Sequence, residues 1–137
     1  MSNGSFVRTL TVNLATSWTS PNLEIADMCD KEGFHIIDRW WLHKDMGTTC
    51  MDAEKCVELC DVVVLDMRTC DFATHHYAGS HVVIGMAIAM GKPVIVILPQ
   101  GAKPYTSLVA KCCVHTTEEA VAKLRAYNEF LSALPSK

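Results

Sequence analysis

The sequence predicts an α/β domain with a mainly parallel five-stranded sheet and helices on both faces. Three observations carry that prediction. Short runs of branched apolar residues, such as "DVVVLDM" from Asp61 to Met67, have the length and composition of strands buried on both faces. Segments with apolar residues at helical spacing alternate with them along the chain. A chain of 137 residues, half of them hydrophobic, is enough for one core of ordinary size. Strands alternating with helices of this length form parallel sheets, because each crossover needs a helix to return the chain.

The elements follow in order. Residues 1–7 form a loose tail, and residues 1–137 make one domain with no repeat or interdomain linker. "RTLTVNLA", Arg8 to Ala15, is the first strand. Thr16-Ser17-Trp18-Thr19-Ser20-Pro21 is turn chemistry, with Ser20 as N-cap and Pro21 at the first helical position. Leu23, Ile25, Ala26, Met28 and Cys29 recur at helical spacing as far as Gly33, a C-cap. "FHIIDRWW", Phe34 to Trp41, is the second strand. A polar loop precedes a short helix from Met51 to Leu59. Asp61 to Met67 is the third strand, followed by a long loop, "RTCDFATHHYA", over residues 68–78. A helix from about Ser80 to Met90 leads through Gly91-Lys92-Pro93 into the fourth strand, Pro93 to Leu98. Val109 to His115 is the fifth strand. Thr117-Glu118-Glu119 opens a final amphipathic helix ending near Leu134.

Composition excludes several classes of function. The net charge of -3, with no basic block, argues against nucleic-acid binding. No unbroken apolar stretch of about eighteen residues exists to span a membrane, and the first residues carry no secretory pattern. Seven cysteines would suggest disulfides in a small secreted chain. Here Cys29, Cys56, Cys60, Cys112 and Cys113 fall inside apolar helix and strand patterns, as reduced, buried thiols of a cytoplasmic protein do. No motif matches the phosphate-loop lysine pattern or the dinucleotide Gly-x-Gly-x-x-Gly. Neither a cofactor nor a metal is expected.

Ligands of parallel α/β sheets bind at the carboxyl ends of the strands, beside the point where the strand order reverses. Four segments lie there: Thr16, Ser17 and Trp18 after the first strand; Asp38, Arg39, Trp40 and Trp41 at the end of the second; Asp66 with Asp71, His75, His76 and Tyr77 after the third; and Pro99-Gln100-Gly101 after the fourth. Hydroxyls, carboxylates, imidazoles and aromatic planes in one cleft suit a small planar ligand such as a nucleobase. Gly79-Ser80 at a helix start adds unpaired backbone N–H groups for an anion or a sugar hydroxyl. Adjacent strand residues point to opposite faces, so at most one of Trp40 and Trp41 faces the cleft. Asp61, at the other end of its strand, reads as a capping or surface residue. Lys92-Pro93 reads as a turn. His75, His76 and His81, with Asp71, offer acid–base groups or metal ligands. They lack the tight Cys/His spacing of a structural zinc site, which leaves a metal-dependent enzyme as the weakest alternative.

"CDVVVLDM", a loop, and then "GSHVVIGMAIAMGKPVIVILP" resemble the nucleoside 2-deoxyribosyltransferase-like superfamily, which includes nucleotide N-glycosidases. "VNLATSW" resembles its first strand and loop, and "GFHIIDRWW" the second strand of some of its branches. The likeness spans roughly residues 8–120. It implies a flavodoxin-like three-layer sandwich and chemistry at the bond between a ribose or deoxyribose and a base, with the sugar passed to another base or to water. It also implies association into a homodimer or a higher oligomer. Gly79, Ser80, Gly85 and Ala87 match the pattern "G-[ST]-x-x-E-x-G-x-A". Val83 stands where the family carries its nucleophilic glutamate, and no acid precedes Gly79. A carboxylate at that position attacks or stabilises an oxocarbenium-like centre, and valine does neither.

The resulting expectation is a nucleoside- or nucleotide-binding protein of this superfamily. Thr16, Ser17, Trp18, Trp40, Gly79, Ser80 and Pro99 line the ligand site, and Asp66 or His81 replaces the lost glutamate in N-glycosidic chemistry. The alternative is a catalytically inactive relative that binds a ligand or a protein partner for regulation.

Overall fold

The computed structural model describes residues 9–16, 22–37, 53–69, 78–102 and 112–135, of which 53 and 78–82 by their backbone. Its elements are β1 (Thr11–Thr16), α1 (Glu24–Glu32), β2 (His35–Ile36), α2 (Ala53–Leu59), β3 (Val62–Asp66), α3 (Ala78–Ala89), β4 (Val94–Ile97), β5 (Cys113–Val114) and α4 (Thr117–Ala133). The sheet has five strands in the order β2-β1-β3-β4-β5. Every adjacent pair runs parallel. This is the flavodoxin-like α/β sandwich. The chain leaves β1 to one side for β2, then crosses back past β1 to start β3. The crevice at the carboxyl ends of β1 and β3 is therefore the topological switch point.

The central strand shows why the sheet needs two covers. Val62 and Val64 belong to one core cluster, with Ile25 and Cys29 of α1 and Ala120, Val121 and Leu124 of α4. Val63 and Leu65 belong to the other, with Val57 of α2 and Ile84 and Ala87 of α3. Successive side chains alternate across the pleat, so a strand apolar at every position fits only between two helix layers.

The helix ends follow local chemistry. α1 begins at Glu24, later than the sequence predicts, and just before it the Asn22 Oδ1 accepts the Glu24 N–H at 3.1 Å. Leu23, expected on the buried helical face, instead occupies the cap position and is exposed. The expected cap, Ser20 and Pro21, lies outside the described residues. At the other end the Gly33 N–H donates to Asp30 O at 3.1 Å and the Phe34 N–H to Cys29 O at 2.9 Å. The same paired closure ends α3, where Gly91 N–H reaches Ile88 O at 3.1 Å and Lys92 N–H reaches Ala87 O at 2.8 Å. Both closures need left-handed backbone at the glycine, φ +78° at Gly33 and +72° at Gly91. The Lys92-Pro93 segment is thus a helix stop leading into β4. α4 opens on Thr116, whose hydroxyl accepts the Glu119 N–H at 3.0 Å.

The edge strands are shorter than the sequence suggests. β2 is His35–Ile36, although Ile37 N–H still donates to Val12 O at 3.0 Å; residues 38–41 lie outside the described residues. β5 is Cys113–Val114, and residues 109–111 lie outside. At the amino end of the sheet Asp61 ties two strands together. Its Oδ2 accepts the Thr11 N–H at 2.9 Å, and its own N–H donates to Thr11 O at 2.8 Å. Cys29 and Cys60 are buried, but Cys56, Cys112 and Cys113 are only half-buried, short of the full burial expected of them. Among the described residues no helix is long and apolar enough to cross a membrane.

Candidate functional site

The carboxyl edge of the sheet is built from strand ends that share one level. Thr16, the last residue of β1, is paired in register with Asp66, the last residue of β3, and Asp66 with Ile97 at the end of β4. Val62 and Val64 face α1 and α4, so by alternation Asp66 faces them too. The side chain of Thr16 closes the crevice on one side, its Oγ1 accepting the Asn22 N–H at 2.9 Å.

Asp66 is 1% exposed. A carboxylate so enclosed needs a counter-charge and donors, and Arg68 supplies both. Its Nε donates to Asp66 Oδ1 at 2.9 Å and its Nη2 to Oδ2 at 2.8 Å, while the Arg68 backbone N–H donates to Oδ1 at 3.1 Å. This is the two-pronged fit of a planar guanidinium to a carboxylate. Arg68 Nη1 reaches Glu24 Oε1 in the first turn of α1 at 3.3 Å. The Thr117 hydroxyl, in the first turn of α4, donates to the same Glu24 oxygen. Four residues from β3, the turn after it, α1 and α4 thus form one chain of charge-assisted hydrogen bonds across the carboxyl edge. The Thr117 hydroxyl holds the Glu24 carboxyl below the usual glutamate range; burial opposes this, and the charge and hydrogen bond of Arg68 add to the lowering. The bonds to Asp66 push the Arg68 guanidinium further up. Glu24 remains 60% exposed, and its Oε2 has no partner among the described residues.

On the other side of β4 the chain makes a turn, with Ala102 N–H donating to Pro99 O at 3.1 Å and Gly101 at φ +81°. His115, directly after β5, aims its ring at this corner. Its Nδ1 lies 3.3 Å from Leu98 O and 3.2 Å from Pro99 O. Carbonyl oxygens only accept, so Nδ1 carries the proton. The Glu119 carboxylate accepts the His115 backbone N–H at 3.3 Å and the Thr116 hydroxyl at 3.1 Å, which fixes the segment that bears the ring.

The third part of the edge is the start of α3. Gly79, Ser80 and His81 lie within its first turn, the helix beginning at Ala78. Gly79-Ser80 are therefore inside the helix rather than its cap, and their backbone N–H groups are among those that an α-helix leaves without intrahelical partners. Val83 is half-buried and packs against the core cluster of α2 and α3. Asp66 faces the opposite side of the sheet, so the structure does not bring these two positions together.

Of the other expected site residues, Ser17, Trp18, Asp38, Arg39, Trp40, Trp41, Asp71, His75, His76 and Tyr77 lie outside the described residues. Among the described residues no group of three or more His, Cys, Asp or Glu is placed to hold a metal ion. Sequence reasoning missed Arg68, Glu24 and His115. Arg68 had a signal: an aspartate at the end of a fully apolar strand needs a cation, and the nearest is two residues on. Glu24 and His115 had none, because their partners lie far away in the chain.

The class that this architecture defines is a flavodoxin-like α/β domain with a polar carboxyl edge. No protein-family model matches the chain, and no curated protein matches it in sequence. Among solved structures the fold is similar to that of the CMP N-glycosidase BcmB of Clostridium botulinum, with a TM-score of 0.50 and 19% sequence identity over 84% of this chain and 98% of that one. At that identity the likeness is one of fold.

Proposed function

We propose that this chain is a single-domain nucleoside- or nucleotide-binding protein of the nucleoside 2-deoxyribosyltransferase-like group that cleaves or transfers at the N-glycosidic bond without the glutamate at position 83. The observation that carries the reading is that Thr16, Asp66, Pro99 and the first turn of α3 all lie at the carboxyl edge of a 2-1-3-4-5 sheet. That edge is where such sheets bind nucleotides, and the fold is shared with a protein whose substrate is CMP. In this reading Ser17, Trp18 and Trp40 complete the pocket, and Gly79 and Ser80 present N–H groups to sugar or phosphate oxygens. Asp66 serves to hold Arg68, which leaves His81, in the first turn of α3, as the catalytic residue of the sequence prediction. The protein works in the cytoplasm and needs no cofactor. It forms a homo-oligomer through α3, where Ile88 is 49% exposed beside the exposed Gly85 and Ala89.

A second reading is a catalytically inactive relative that binds a regulatory ligand or a protein. The packing of Val83 against the apolar cluster favours it, since none of the described residues of that cluster can stabilise a developing cation.

Thermal denaturation with nucleosides, 5′-monophosphates and free bases, each hit then checked by chromatography for released base, separates the two. A ligand at 100 times its Kd stabilises the native state by about 2.7 kcal/mol. A rise in Tm with base release supports the enzyme, and a rise without release supports the binding module. No rise with any of them refutes both nucleotide readings.

A further inference from the structure

We propose that His115 is the proton-accepting group of this site, acting on the water that attacks the sugar of a bound nucleoside or nucleotide. The inference rests on the N-glycosidic reading above and supplies the group that it leaves unassigned.

The ring is fixed in both orientation and tautomer. Two carbonyl oxygens, Leu98 O and Pro99 O, share Nδ1 at 3.3 and 3.2 Å. The proton of the neutral imidazole is therefore on Nδ1, and the lone pair is on Nε2. No described group meets Nε2, and the residue is half-exposed. Orienting one ring nitrogen by an acceptor so that the other presents a lone pair is the arrangement of a general base. The acceptors here are the first two carbonyls after β4, so the ring sits on the carboxyl edge with Pro99, itself an expected ligand contact.

The step balances without a further reactant. Nε2 takes one proton from water as the water oxygen forms its bond to C1′ of the sugar. The C1′–N bond breaks, and its electron pair leaves with the base. The base is protonated from solvent, and His115 returns its proton to solvent. Water and nucleoside become free sugar and free base, with the protein unchanged.

His115→Asn separates this role from a structural one. The asparagine amide can still donate to the two carbonyls but has nothing in the place of Nε2. With CMP as the probe, we expect His115→Asn to keep the melting temperature of the wild type and its nucleotide-induced rise, while cytosine release falls by about 10²- to 10⁴-fold. Release at the wild-type rate overturns the proposal. So does a wild type that CMP stabilises but that releases no base, an outcome that leaves nucleotide binding intact. A wild type that no nucleotide stabilises removes the parent reading and this proposal together. Should the variant not fold, two-bond ¹H–¹⁵N correlation on the wild type decides. An unprotonated Nε2 signal that moves when CMP is added supports the role, and an unprotonated Nδ1 overturns it.

Discussion

Removing Arg68 should destabilise the protein far more than a surface ion pair would. In Arg68→Ala the Asp66 carboxylate, 1% exposed in the wild type, loses its bonds from Nε and Nη2 at 2.9 and 2.8 Å. It keeps the backbone N–H at position 68, which does not depend on the side chain. Breaking a buried pair by deleting one partner costs about 3–5 kcal/mol, because the remaining charge is left in a medium that solvates it poorly. The surviving N–H places this case at the lower end, about 3–4 kcal/mol. For a domain of this size that lowers Tm by about 12–16 °C. Asp66→Asn should cost less, because Arg68 is 17% exposed and retains Glu24. Urea unfolding of the wild type, both single variants and the double variant completes a cycle. The double variant should be more stable than the sum of the single losses implies, by at least about 1.5 kcal/mol. A loss below about 1 kcal/mol in Arg68→Ala, with additive single effects, would show an ordinary solvated pair and refute the view that this arginine neutralises the carboxyl edge.

Val83→Glu should lower stability by about 1–3 kcal/mol, because the carboxylate enters a half-apolar setting. If the pocket holds a nucleoside, it should also create or raise base release; binding with no gain in release would show that position 83 does not face the sugar. Gly91→Ala should cost about 1–2 kcal/mol, purely from its backbone at φ +72°, since an added Cβ would meet no atom within 4 Å; an unchanged urea midpoint would refute this account of the α3 stop. Glu24→Gln should flatten the acid side of the stability curve. The folded-state pKa of Glu24 lies below its ordinary value, so its contribution is present above the ordinary value and is lost as pH falls through the lowered one. Because Glu24 is 60% exposed, the effect should stay under about 1 kcal/mol, and identical pH profiles for variant and wild type would count against it.

Much of the architecture is legible along the chain. The alternation that makes β3 apolar on both faces, the glycines that stop α1 and α3, and the threonine that caps α4 are all interactions within a few residues. Local chemistry determines them. The start of α1 is harder to read, because the residue at its cap position, Leu23, is not one that local preference selects. The edge strands are harder still, since two-residue strands such as β2 exist by virtue of a neighbour rather than of their own composition.

The site divides along the same line. The sequence by itself determined which residues lie at strand ends: Thr16, Asp66 and Pro99 are there because strand lengths and turns place them. It also determined that position 83 is a valine, which offers no carboxylate. What those strand-end groups do was decided by tertiary structure. Arg68 lies 44 positions from Glu24, Thr117 lies 93 from Glu24, and His115 lies 16 from Pro99. Only the parallel crossovers bring such residues to one edge. Whether a buried aspartate is open or already paired, and which nitrogen of a histidine holds the proton, depends on donors and acceptors that approach through space, and no local pattern records them.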